Sequence, residues 1–487
     1  MSVAQSIRSA TVWVLAGQTG TRVLQFAFGI LIARLLAPED FGLLVTAGIF
    51  TGVAGIVAGG GLGQALIRSK EATEQDFYVV FTMQLAVGVA LYLLFFFTSP
   101  LIAAFFHEPF YTDLLRITAL YFLSRPLLNI HSSWLHRKMR FKERSIINVE
   151  ATIVASVVTL AMAVAGMKVW SLILSGFVGT FLTWFLLSRV TRLRPRLTLD
   201  RATVRKVSAY GVKVSANDLV SYARAQISNF IISMQLGPTA VGLFNRGEGL
   251  GKMPFSTISG AVYQPVLREM SKVQDQPDQI KYLFFKMIGL LVIYTLPFYI
   301  GFVWLAHPFI TVVYGAKWAP AAEILQILAL PGLIFCIGHP CGAVLAATNR
   351  LGRELLVQGS TVAIVAAGCY FGLPRFGLAG AAWALVLGYA YSTLLMYLLA
   401  VKAFRHDAAD LAHALAPGLL LNGLLLAVLL ALELSLPSTL REQHPALYLL
   451  ILGGGGACAY LGAFLFLPYA GLRTESARWR AVLRLSR

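Results

Sequence analysis

Apolar residues run along this chain in blocks of about twenty, cut by short polar joints, and a membrane span needs ~20 consecutive, mostly apolar residues. The blocks lie near 12–36, 43–67, 77–98, 114–134, 146–167, 169–190, 212–236, 241–266, 284–306, 321–347, 355–371, 378–401, 415–432 and 446–467. This pattern predicts an all-α polytopic membrane protein with about fourteen transmembrane helices. The first block is longer than a signal-peptide core, carries Gln18, Arg22 and Gln25, and leads into "APEDFG" rather than a small-residue cleavage site. It is therefore expected to stay in the mature chain. The seventh and eighth blocks are the least apolar, but without them one polar joint would be far longer than any other.

The joints repeat. "LAPEDFGLL" at 36–44 links the first two blocks and "LGPTAVGLF" at 236–244 links the seventh and eighth, both of the form L-x-P-x-x-x-G-L and 200 residues apart. "WSLIL" at 170–174 and "WALVL" at 383–387 echo each other in the sixth and twelfth blocks. Six spans separate equivalent positions, so two six-helix lobes of one orientation are expected, related by an axis along the membrane normal. The expected division is an N-lobe at 1–190, a basic cytoplasmic linker at 191–211, a C-lobe at 212–401, and a final helix pair with a basic tail at 402–487.

Composition agrees with the pattern. At 57% hydrophobic and 13% charged over 487 residues, the chain is too apolar for a soluble globular protein, where charged residues make up about a quarter. There are 40 lysines and arginines against 22 acids, a net charge of +18. With a cytoplasmic N-terminus, 28 of the 40 fall in inner joints and 4 in outer ones, as the positive-inside rule requires, so both termini are expected in the cytoplasm. A basic face beside anionic membrane lipid accounts for the net charge, and no nucleic-acid partner is needed. Cys336, Cys341, Cys369 and Cys458 lie in apolar runs without metal-ligand spacing, which speaks against disulfides and zinc and for packing roles.

A first helix with central polar residues, then "LLAPEDFGLL", then the glycine-rich "TGVAGIVAGGGLGQALI" resembles the opening of the Wzx-type polysaccharide flippases. "MKVWSLILSG", "RPRLTLD" and "LGPTAVGLFNRGEGLGKMP" fit the same family, which belongs to the multidrug/oligosaccharidyl-lipid/polysaccharide exporter superfamily. The resemblance implies two lobes in a V shape around a central cavity and alternating access. It also implies translocation of an undecaprenyl-pyrophosphate-linked glycan to the outer leaflet of a bacterial inner membrane, alongside a polysaccharide polymerase or export proteins. Cationic residues on the first and eighth helices are part of what it implies, and Arg22 and Arg246 lie on those helices.

Apart from Lys213 and Lys286 at block edges, counted with the inner joints, eight cations fall inside the blocks: Arg22, Arg34, Arg116, Arg125, Arg189, Arg224, Arg246 and Lys252. An arginine at a helix centre costs at least ~2.5 kcal/mol even on the lenient insertion scale, so it should face protein or water. Arg34, Arg116 and Arg189 lie near span ends and can reach headgroups. Lys252 follows Glu248 by four residues, the favourable order for a local ion pair. It remains a candidate ligand nonetheless. Gln18, Arg22 and Gln25 form a polar stripe at helical spacing, as do Asn217, Ser221, Arg224 and Ser228. Arg125 precedes Pro126 and marks a kink. The expected substrate-binding set is thus Arg22, Arg224, Arg246, Gln18, Gln25, Asn217, Lys252 and Arg125. Guanidinium binds phosphate bidentately and keeps its proton, which suits it to a pyrophosphate crossing a low-dielectric slab.

No phosphate-binding G-x-x-x-x-G-K-[ST] and no H-E-x-x-H occur, so no ATP hydrolysis, catalytic residue, metal or cofactor is expected. His131 and His136 read as loop or headgroup residues and His339, before Pro340, as a packed kink residue. Two alternatives stay open: a cation-coupled exporter of small molecules, which would want acidic residues in the spans, and a membrane enzyme of polysaccharide assembly, which would want a large outer loop.

Overall fold

The computed structural model describes residues 3–59, 61–63, 66 and 73–484, and no strand occurs among them. The helices are α1 (Val3–Leu35), α2 (Pro38–Gly59), α3 (Glu74–Phe105), α4 (Tyr111–Thr118), α5 (Tyr121–Arg137), α6 (Phe141–Val164), α7 (Val169–Thr191), α8 (Arg201–Lys272), α9 (Pro277–Val313), α10 (Ala321–Ala329), α11 (Gly332–Ala347), α12 (Leu351–Ala400), α13 (Ala408–Ser435), α14 (Ser438–Gln443), α15 (Pro445–Phe466) and α16 (Arg473–Val482). Among the described residues nine helices are long and apolar enough to cross a membrane, ten when the bent pair α10 and α11 is taken as one span. Two of the nine, α8 and α12, are each broken at a glycine with positive φ, Gly237 and Gly377. A count of fourteen needs both halves of each broken helix and, in addition, α1 and the α4–α5 pair. Those last two carry Arg22 and Arg125.

Packing divides the chain into two units, Met1–Gly242 and Leu243–Arg487. The division lies beyond the 191–211 linker, so the seventh expected span groups with the first six. Its contacts explain why. Tyr222 donates its hydroxyl to the Gly48 carbonyl at 2.6 Å, the Thr46 and Ser233 hydroxyls lie 2.8 Å apart, and Phe230 sits against Phe50 at 6.3 Å.

In the first unit α1 runs alongside α6. A Cβ added at Gly17 would lie 2.6 Å from the Ser145 Cβ, and farther along Ile32 and Leu36 pack with Ala163, so the two helices run parallel. The repeated L-x-P-x-x-x-G-L acquires a physical reason here. Pro38 opens α2, with Asp40 accepting the Ala37 N–H at 2.9 Å, and Gly237 (φ 78°) breaks α8 just before Pro238. One turn after each proline stands a glycine. A Cβ on Gly42 would lie 1.7 Å from the Pro238 carbonyl oxygen, and one on Gly242 would lie 1.8 Å from that of Pro38. The two copies of the motif therefore cross backbone to backbone, each glycine seated on the other's proline.

The second unit is built around α9, whose Phe284, Ile288, Leu291 and Val292 pack with Cys341, Val344 and Leu345 of α11. Lys281 pairs with Asp410 at the start of α13 (2.6 Å), and Lys286 with Glu475 of α16 (3.0 Å). Trp479 of α16 donates its indole N–H to the Tyr294 hydroxyl at 2.8 Å. Cys336, Cys341 and Cys369 are buried among these helices, while Cys458 is exposed.

Candidate functional site

Three cavities carry arginines of the first unit. The largest, about 790 Å³, is enclosed by α1, α5, α6 and α7 and is lined by Gln18, Arg22 and Gln25 of α1 together with Arg144, Asn148 and Thr152 of α6. Residues at i, i+4 and i+7 share a helix face, so the stripe on α1 turns one polar side to this space. Arg22 is exposed and has no hydrogen-bond or ion-pair partner among the described residues. No aspartate or glutamate lines the cavity.

A second cavity of about 600 Å³ is lined by Gly55, Gly59, Gln84, Arg125, Asn129 and Asp218, and it shares His136 and Arg144 with the first. A third, about 350 Å³, holds Arg125 with Thr51, Tyr121 and Ser124. Glycines make room for these side chains: a Cβ on Gly55 would come within 2.2 Å of Arg125 Nη1. His136 faces the same spaces as Arg144. The guanidiniums are the fixed charges of the paired cavities, with Asp218 as an acid in the second.

The structure sorts the residues expected from sequence. Gln18, Arg22 and Gln25 share the largest cavity, and Arg125 lines the other two. Arg224 is exposed but lines none of these cavities, and it makes no ion pair with Asp218. The side chain of Asn217 lies outside the described residues. In the second unit Arg246 lies over the rings of Tyr314 and Trp318, 4.9 Å from each centroid. Lys252 pairs with Glu248 at 2.5 Å. Of the end-of-span cations, Arg116 donates to the Phe96 carbonyl and Arg189 lies over the Phe185 ring.

Two expectations are corrected. His131 is no headgroup residue: it is fully buried, with Nδ1 2.7 Å from the Thr191 hydroxyl, because its face of α5 packs on α7. Arg144 is no loop residue. It read as part of the basic joint "HRKMRFKER", yet α6 begins at Phe141 and puts it in both cavities. A signal existed: Arg144, Asn148, Thr152 and Ser156 recur every four residues, the same helical stripe as on α1. His339 is packed as expected, between Phe255 (5.2 Å) and Tyr263 (4.6 Å).

The second unit holds a cavity of another kind, about 1050 Å³ and lined almost wholly by apolar side chains of α9, α13 and α15, among them Phe298, Phe302, Leu425, Leu429 and Leu452.

Helices that cross a membrane and enclose partnerless guanidiniums define a class, the multi-pass membrane proteins with an internal polar site. Residues 31–323 match the model of the family described as polysaccharide biosynthesis protein. The chain belongs to that family. It is 21% identical over 373 residues to the lipopolysaccharide biosynthesis protein WzxC of Escherichia coli, covering 76% of each chain. It is 25% identical over 346 residues to the succinoglycan biosynthesis transport protein ExoT of Rhizobium meliloti, covering 70% of this chain and 68% of that protein. Among solved structures, the lipid II flippase MurJ in an inward closed conformation superposes with a TM-score of 0.74 over 97% of this chain and 100% of that one, at 14% identity. An inward-facing MATE multidrug transporter gives 0.63 over 78% and 94%, also at 14% identity. At that identity the likeness shows the fold alone.

Proposed function

We propose that this protein flips a polyprenyl-pyrophosphate-linked oligosaccharide from the cytoplasmic to the outer leaflet of the bacterial inner membrane, with both termini in the cytoplasm. One observation carries the reading: Arg22, near the middle of α1, faces a polar cavity that no carboxylate lines among the described residues. A permanent cation without a partner is costly inside a membrane unless water or an anion meets it. A pyrophosphate diester supplies that anion. The amides and hydroxyls of Gln18, Gln25, Asn148 and Thr152 supply donors and acceptors for sugar hydroxyls. The family and the names of WzxC and ExoT support polysaccharide export, and the fold of a lipid II flippase supports a lipid-linked cargo. An exporter of organic cations would want carboxylates where the cavity beside α1 has guanidiniums.

Flipping of a defined prenyl-pyrophosphate oligosaccharide in liposomes tests the reading. The full-length protein should make the glycan accessible from the opposite leaflet, and Arg22→Gln should stop this. Equal rates with and without protein would overturn it. For orientation, single cysteines at Lys138 and Arg201 should resist an impermeant thiol reagent in intact cells while those at Glu39 and Lys317 react.

A further inference from the structure

Arg144 was counted with the basic joint between the fourth and fifth spans, but it lies in the first cavity with Arg22 and in the second with Arg125. Its guanidinium has no hydrogen-bond or ion-pair partner among the described residues. The nearest acid in sequence, Glu143, is taken up by Arg140 at 2.9 Å. Asp218 shares the second cavity with Arg144 but makes no ion pair with it. His136, the other titratable group lining both cavities, carries no negative charge to offer a guanidinium. A half-buried guanidinium left without a partner pays desolvation with no return, unless something outside the chain completes it.

The helix geometry places the two arginines in order. Gly17 of α1 touches Ser145 of α6 and the helices run parallel, so Arg22 lies five residues beyond the contact and Arg144 one residue before it. At 1.5 Å per residue their backbones are offset by about 9 Å along the helix axes. Two extended arginine side chains span such an offset from neighbouring walls, so both can reach one diphosphate lying in the cavity beside them. With two guanidiniums and no carboxylate, the cavity has as many fixed charges as the diester has ionised phosphates.

We propose that Arg144 is a second anion-binding residue of this site, and that it and Arg22 grip the two phosphates of one prenyl pyrophosphate. Arg144 stands at the end of the cavity where α6 begins, and Arg22 lies deeper, with Gln25, Ser156 and Thr159 beyond it. The pair thereby sets the register of the cargo: the diphosphate is pinned between α1 and α6, and the first sugar falls against the amides and hydroxyls of the same walls. This rests on the reading of the protein as a carrier of lipid-linked glycan.

The test uses the full-length protein in nanodiscs, with farnesyl pyrophosphate as probe and farnesol as the uncharged control. Arg144→Gln should weaken binding of the pyrophosphate about 10-fold, Arg144→Lys only a few-fold, and neither should change farnesol binding. If one diphosphate bridges both residues, the losses in Arg22→Gln and Arg144→Gln should not multiply in the double variant. Phenylglyoxal modification of the wild-type protein, read by mass spectrometry, needs no variant, and saturating farnesyl pyrophosphate should protect Arg144. Wild-type affinity in a folded Arg144→Gln protein, or undiminished labelling of Arg144 under saturation, would overturn the assignment while leaving the flippase reading standing. Failure of the wild-type protein to bind the pyrophosphate more tightly than farnesol would overturn both.

Discussion

The two units treat the cations deep in their spans in opposite ways. In the first, Arg22, Arg125 and Arg144 project into polar cavities with no protein partner among the described residues. In the second, Arg246 lies over two rings and Lys252 is tied to Glu248, while the large cavity is apolar. Cations of equal rarity in the sequence thus mean different things. A charge whose partners are supplied by the fold is part of the scaffold, and one whose partners are missing marks where a ligand must come.

The largest effect should come from breaking the scaffold in the second unit. Trp318 is fully buried and forms one of the rings beneath Arg246, so Trp318→Ala should cost about 3–5 kcal/mol of stability. A large fall in melting temperature, or loss of the protein from the membrane, is expected. A normal melting curve would show that Arg246 does not depend on its aromatic platform.

Next comes Arg22→Gln in the first unit. No protein contact is lost, so membrane levels and melting should match the wild type. Two charge-assisted hydrogen bonds to phosphate, at about 1.5 kcal/mol each, predict a fall in glycan export of about 100-fold. If instead the variant melts early and the remaining folded protein exports normally, the contrast between the units collapses. Smaller again is Glu248→Gln, which removes the carboxylate that Lys252 meets at 2.5 Å. Glu248 is buried and Lys252 half-exposed, so a melting shift of a few degrees with export retained is the outcome expected of a structural pair.

How much of this could be read from the chain depends on the range of the interaction. The polar stripe of Gln18, Arg22 and Gln25 is visible because helical spacing is local, and so is the Pro38/Gly42 and Pro238/Gly242 repeat. That the repeats touch each other backbone to backbone is a tertiary fact. The rings that take up Arg246 sit about seventy residues downstream, at a distance periodicity cannot see. Arg144 was hidden by something smaller: the span boundary was drawn at 146, so a residue on the first turn of a cavity-lining helix was counted with the loop. The seventh span was visible too, but its grouping with the first unit depends on Tyr222, Ser233 and Phe230 finding partners in α2.

The smallest change probes the first unit most finely. Gly55 lies inside α2, and a Cβ there would come within 2.2 Å of Arg125 Nη1 but 3.4 Å from its Cζ. The clash is with the tip of a flexible side chain that has no hydrogen-bond or ion-pair partner among the described residues, so the guanidinium can swing aside at little cost. Alanine for glycine inside a helix contributes up to about 1 kcal/mol in the protein's favour, so Gly55→Ala should melt at or slightly above the wild-type temperature. If Arg125 serves the cargo from its seat over Gly55, export should nevertheless fall several-fold, because the charge is displaced from where the two smaller cavities hold it. A stability gain with a transport loss is the signature of a side chain placed for a ligand rather than for the fold. Unchanged export with Arg125 displaced would remove it from the site and leave the paired guanidiniums of α1 and α6 to carry the anion alone.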